Sequence, residues 1–130
     1  MEPQDQTDQF SGFMFVDVES YEKSGQPKLT PVRAIVSNGI VYFRTGPRTW
    51  KARRIRRNPQ VRVIPCDQRG NTKGTWVNGS ARILEGEELE RAAELFRTQY
   101  GAVGNFLSKL VYRLVRGQPL TTIVSVKLQT

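Results

Sequence analysis

The 130-residue chain has no histidine and one cysteine, Cys66. The first absence excludes the Ser-His-Asp triad, the Cys-His pair, HExxH-type metal sites and histidine acid–base work. The second excludes an internal disulfide and any multi-cysteine zinc centre. Any catalysis must come from a bound cofactor, from carboxylates, or from Lys, Tyr and Cys. No apolar run approaches the ~20 residues of a membrane span. The acidic, polar N-terminus does not read as a signal or transit peptide, so the expected location is the cytoplasm. Acid is also missing over one third of the chain: residues 23–66 hold eleven bases and no Asp or Glu. Residues 1–22 hold six acids and no base, and the net charge is +8. A positive field concentrated in this way implies an anionic partner, either a polyanion or a phosphorylated small molecule.

Alternation of apolar and polar residues predicts most of the elements. Residues 1–9 read as a flexible N-terminus, and 10–130 as one domain. Strands are expected over 10–19, 28–37, 40–45, 61–66, 74–84 and 121–128, and helices over 85–100 and 105–115. Asn38-Gly39 is a two-residue hairpin signal. Pro31 cannot donate to a ladder, which suggests an edge, a bulge or a neighbour other than a strand. Gly79 suggests a bulge or a close backbone approach. Leu89, Ala92, Ala93 and Phe96 form the apolar stripe of the first long helix. Short strands joined by tight turns fit a small, mainly β barrel with helical additions.

The stretch Thr45–Pro59, TGPRTWKARRIRRNP, carries most of the functional information. Thr45, Thr49 and Lys51 stand at the mouth of a short helix that also bears Arg53, Arg54, Arg56 and Arg57. Hydroxyls, free N–H groups at a helix start and fixed cations are the parts needed to hold a phosphate. Arg56 and Arg57 are left to solvent or a partner subunit. A solvated basic helix face is the plainer reading of the same residues. Trp50 and Trp76 either stack on a ring or pack in a core or interface. Cys66 reads as a small buried hydrophobe, and Asp67 as a turn residue. No pair of carboxylates is placed as an acid–base couple, and no metal site is expected.

The ordered motifs SGQPKLTPV, VYFRT, TWKARRIRRNPQVRVIPCDQRG and VNGSARIL resemble the split β-barrel flavin and deazaflavin oxidoreductases, the pyridoxamine 5′-phosphate oxidase-like class. Within that class the chain most resembles the F420-dependent branch. The resemblance runs from about Gly12 to the C-terminus and implies a split β-barrel with two helices before the last strand. It implies a homodimer with F420 or, failing that, FMN at the subunit interface. Thr45, Thr49, Trp50, Lys51 and Arg54 would hold the cofactor phosphate, and backbone around Thr30, Pro31 and Val32 would line its ring. Two features depart from the family pattern: the opening strand VDVESYEKSG is acidic where a hydroxyl-rich, basic segment is expected, and Arg33 replaces a bulky apolar residue.

The expected function is therefore hydride transfer between a deazaflavin and a small organic substrate, with the proton donor unassigned. The alternatives are an FMN-binding oxidoreductase or flavin carrier, and a non-enzymatic barrel that binds nucleic acid. The last would use the arginines as a backbone track and Phe43, Trp50 or Trp76 as stacking platforms.

Overall fold

Six strands and two helices make up the described part of the computed structural model, which covers residues 9–46, 48–98 and 122–129, without the side chains of Gly12 and Phe13. The strands are β1 (Gly12–Tyr21), β2 (Pro27–Ser37), β3 (Ile40–Thr45), β4 (Gln60–Cys66), β5 (Val77–Ile83) and β6 (Thr122–Leu128). Helix α1 (Trp50–Arg57) joins β3 to β4. Helix α2 is described over residues 86–98, within the predicted 85–100. The predicted helix 105–115 lies outside the described residues.

The strands close in the order β1-β2-β3-β6-β5-β4, every neighbour antiparallel. The barrel predicted from the sequence is therefore observed. Alternation sorts each strand into an inner and an outer face. Val16, Val18, Val32, Ala34, Val41, Phe43, Val61, Val63, Val124 and Val126 fill the interior. On the outer face of β2, β3 and β6, Ile35, Tyr42 and Ile123 pack under Leu89, Ala92, Ala93 and Phe96 of α2. Asn38 and Gly39 both have positive φ, 53° and 75°, as a tight hairpin between β2 and β3 requires.

Gly79 pairs in regular register with Val61 and Leu128, so it is not a bulge. A Cβ there would lie 2.5 Å from Val126 Cγ1 and 3.2 Å from the Lys127 carbonyl, which makes close approach the reason for glycine. The strand predicted from Gly74 begins instead at Val77. Gln9 explains the shortening: its Nε2 donates to the Thr75 carbonyl (2.8 Å) and its Oε1 accepts from the Thr75 N–H (2.9 Å). Those two contacts occupy the backbone groups a ladder would use. Gln9, assigned from the sequence to the flexible N-terminus, is thereby tied to the barrel.

Two aspects of the topology position the site. β2 meets β3 only over Ala34–Ser37, paired with residues 40–43. Over Pro27–Arg33 it pairs with β1 alone among the described residues, leaving an edge there that contains Pro31. Carried on at the same offset, the ladder would set Thr45 opposite Val32; the strands part before that point, and the barrel is split there. In addition, β3 and β4 stand across the barrel from each other, with two strands between them either way round. The helix that joins them must cross the barrel end, and Ile55 of α1 enters the interior cluster.

Candidate cofactor site at the barrel mouth

The loop from β3 into α1 is built around two hydroxyls. Thr49 is the N-cap: its Oγ1 accepts from the Ala52 N–H at 3.1 Å and donates to the Gly46 carbonyl at 3.0 Å. The Thr45 Oγ1 lies 3.2 Å from it. A hydroxyl has one proton, and that of Thr49 is committed to Gly46, so Thr45 is the donor in this pair. Both hydroxyls thus have a structural task, which the reading of them as phosphate donors did not foresee. Thr45 is buried beside the mouth, whereas Thr49 is exposed.

The helix has a buried stripe, Ala52 and Ile55, and ends where Asn58 donates its N–H to the Arg54 carbonyl ahead of Pro59. Its last turn carries Arg54, Arg56 and Arg57, which suits the negative end of the helix dipole. Its first turn has no acid, and Lys51 stands at the positive end, where a cation is unfavourable. The Lys51 ammonium lies 5.7 Å from the Phe43 ring centre, at the top of the barrel interior. Burial and then the neighbouring Arg54 guanidinium push the Lys51 pKa down from its ordinary value. No carboxylate bridges Lys51 or Arg54 among the described residues.

Arg54 is positioned from the other side. Its Nε donates to Ser20 Oγ at 2.7 Å. Ser20 is fully buried and shares the inward phase of Val16 and Val18, so it faces the barrel end. Its part in the site was missed from the sequence, although a serine in an inward valine row was the available signal. Lys51, Arg54, Ser20 and Thr45 converge from β3, α1 and β1 on the split mouth. Two cations with no acid beside them among the described residues, and the Ser20 hydroxyl whose proton is not spent on Arg54, suit a phosphate group.

The three ring-lining candidates divide between faces. Val32 points into the core, Thr30 shares its inward phase, and Pro31 is exposed on the outer face. All three lie on the free edge of β2. Gly70 of the Asp67–Lys73 loop lies over Pro31, since a Cβ on it would be 3.7 Å from the proline ring. Arg33 stacks on Phe15 at 5.0 Å, on that same outer face.

Trp50 does not join this group. It is 72 % exposed on the face of α1 turned away from Ala52 and Ile55, where it lines a cleft of about 770 Å³ with Glu22, Lys23, Arg53, Arg57 and the shared Arg54. Phe43 is fully buried, and Trp76 is half-buried with the Arg62 guanidinium 4.8 Å from its ring. Of the three aromatics considered as nucleic-acid stacking platforms, Phe43 is therefore unavailable, Trp76 already carries Arg62 against its ring, and Trp50 is largely exposed. Cys66 is buried, and desolvation, then Asp17 and Asp67, push its thiol up to about 11, so it is protonated at neutral pH. No group of side chains suited to a metal ion occurs among the described residues. No helix among them is long and apolar enough to cross a membrane.

The sequence profile of the pyridoxamine 5′-phosphate oxidase family matches residues 8–130. The chain belongs to this family. The family is one of flavin-binding oxidoreductases, and the barrel described above is its fold. Among solved structures, the chain is similar to a conserved protein from Mycobacterium tuberculosis (21% identity, TM-score 0.67, covering 100% of this chain and 82% of that one). It is also similar to an FAD-binding protein from Mesorhizobium loti (17% identity, TM-score 0.63, covering 100% and 91%). An F420 reductase shares the fold at 14% identity and a TM-score of 0.58, covering 90% of this chain and 87% of that one. At these identities the likeness is one of fold. No curated protein matches the chain in sequence.

Proposed function

We propose that this chain is a cytoplasmic F420-dependent oxidoreductase. It acts as a homodimer, holds the deazaflavin phosphate at the split mouth, and reduces a small organic substrate. The observation that carries this reading is the placement of Lys51 and Arg54. Both reach the mouth where β2 parts from β3, and neither is bridged by a carboxylate among the described residues. Such a pair is an electrostatic cost to the fold that a bound phosphate offsets. The free edge at Thr30–Val32 offers backbone groups to a ring lying beside it, and Thr45 holds the loop that brings Lys51 in. Leu29, 55 % exposed on the outer face of β2, and the neighbouring Pro31 support pairing of two copies across this strand.

When bound, the cofactor supplies two-electron hydride chemistry, at carbon C5 of a deazaflavin or nitrogen N5 of a flavin. The chain's own part is to bind, orient and exclude water. FMN is the second reading, favoured by the same donor set, since both cofactors present a phosphate.

The test is titration of the purified protein with F420 and, separately, with FMN, followed by cofactor fluorescence. Tight F420 binding with weak FMN binding is the expected result, and the reverse order makes this an FMN protein. Lys51→Ala with Arg54→Ala should weaken the preferred cofactor by about 4 kcal/mol, two charge-assisted contacts at roughly 2 kcal/mol each. Unchanged affinity in a folded double variant would overturn the cradle.

A further inference from the structure

The cleft on the outward face of α1 has the parts of a second site. Residues 50, 53, 54 and 57 recur at helical spacing on one side of the helix, opposite the buried Ala52 and Ile55. The wall facing them is the β1–β2 turn, at Glu22 and Lys23. Three of the six lining residues are arginines, and two of these are fixed by neutral oxygens. Arg54 donates to the Ser20 hydroxyl, and Arg57 donates to the Tyr21 carbonyl at 3.3 Å. A guanidinium oriented by a neutral acceptor keeps its full charge for a ligand, unlike one held by a carboxylate. The one acid in the lining, Glu22, is paired with Lys28 at 3.7 Å.

Trp50 adds a ring platform. The Arg53 guanidinium stacks 5.0 Å from its centre, which braces the indole while most of its surface stays in water. An indole so exposed gives up hydrophobic stabilisation that burial would supply, and the packing of α1 does not require it. A cleft of about 770 Å³ lies within the range of small-molecule sites, whereas a strand of nucleic acid needs a groove with platforms along it.

We propose that this cleft binds a nucleoside phosphate: a planar heteroaromatic base stacked on Trp50, with its phosphates held by Arg53 and Arg57. The site abuts the phosphate cradle of Lys51 and Arg54, and the Arg54 side chain lines both. Because Trp50 is so exposed, replacing it leaves the fold intact and isolates the stacking contribution.

The experiment is isothermal titration of the whole chain with ADP, adenosine and pyrophosphate. ADP should bind at least about tenfold more tightly than either half. Trp50→Ala should cost ADP about tenfold and leave pyrophosphate unchanged. Arg53→Ala with Arg57→Ala should weaken both ADP and pyrophosphate, and Lys51→Ala should weaken neither. ADP binding no better than pyrophosphate, or full ADP affinity in Trp50→Ala, would overturn the base-stacking site. Equal loss of ADP in Lys51→Ala would show one merged site in place of two. Saturation by a ten-residue oligothymidylate with a steep salt slope, and none by ADP, would replace the proposal with a nucleic-acid surface. Because ADP is read independently of F420 and FMN, failure here and failure of the cofactor cradle are distinguishable.

Discussion

The α1 end of the barrel and the outer face of β1 and β4 handle charge in opposite ways, and one residue touches both. Tyr21 accepts from Arg57 through its carbonyl, on the α1 side, and donates from its hydroxyl to Glu19 at 2.7 Å on the outer face. On that face Glu19 is buried but fully matched. Arg62 grips both its oxygens at 2.8 and 2.9 Å and stacks on Trp76. At the mouth, Lys51 and Arg54 stand side by side with no carboxylate between them among the described residues. Bidentate pairing on β1 and β4 uses charge for the fold. The mouth leaves charge over, and leftover charge is what a ligand site needs.

The largest expected effect comes from breaking the matched region. Arg62→Met keeps the stem over Trp76 but leaves the Glu19 carboxylate buried with only the tyrosine hydroxyl. The cost should be about 3 kcal/mol in urea unfolding at pH 7, at the low end for a broken buried pair because Arg62 is partly exposed. The Arg62 hydrogen bonds hold the Glu19 pKa below the ordinary 4.5, against desolvation. A depressed carboxylate contributes stability above its unfolded pKa and loses it as pH falls through the folded value. Arg62→Met should therefore converge with the parent chain in acid. A gap that persists to pH 3 would mean that the guanidinium acts through packing on Trp76 alone.

Asp17 tests the same comparison from inside the matched face. It lies two residues from Glu19 on the outer face of β1, is 4 % exposed, and its Oδ1 is buried with no hydrogen-bond partner among the described residues. Desolvation raises its pKa above 3.8. A raised carboxylate supports the fold below its unfolded pKa and costs stability as pH climbs through the folded value. Asp17→Asn should therefore gain about 1 kcal/mol at pH 7, read by urea midpoint, and the gain should vanish near pH 4. Destabilisation at pH 7 would show that the carboxylate has a favourable role in the intact assembly.

Much of this barrel was legible because its signals are local. The phase of Val16 and Val18 against Asp17 and the Asn38-Gly39 turn each lie within a few residues. So does the basic turn that ends at Asn58-Pro59, and each of these three appears where its pattern predicts. What escaped is non-local. Glu19 meets Arg62 because β1 closes against β4, and Ser20 meets Arg54 because α1 crosses the barrel end; nothing in these segments announces either contact. Trp50 was grouped with Lys51 because the family resemblance implied it. On a helix, adjacent residues point about 100° apart: Lys51 turns toward Phe43, and Trp50 toward the cleft with Arg53 and Arg57. Thr49 was read as a ligand donor, whereas its proton and lone pairs are largely spent on capping the helix.

The smallest effect carries the sharpest sign. If the mouth holds surplus charge, removing one cation should stabilise the protein without ligand. Lys51→Met keeps an apolar stem against Phe43 while deleting the ammonium. Its expected gain is about 0.5 kcal/mol at pH 7, small because water still screens the group. Burial and Arg54 lower the Lys51 pKa below 10.5, so the unfolded chain holds that proton more readily. Parent stability contributed by this group should thus rise as pH climbs through the folded value, and the variant should lack that rise. Saturating cofactor should reverse the ranking, because the parent, with both cations, binds it more tightly than the variant. Loss of stability in ligand-free Lys51→Met would mean that the contact with Phe43 outweighs the repulsion, and that the mouth is as settled as the face of β1 and β4.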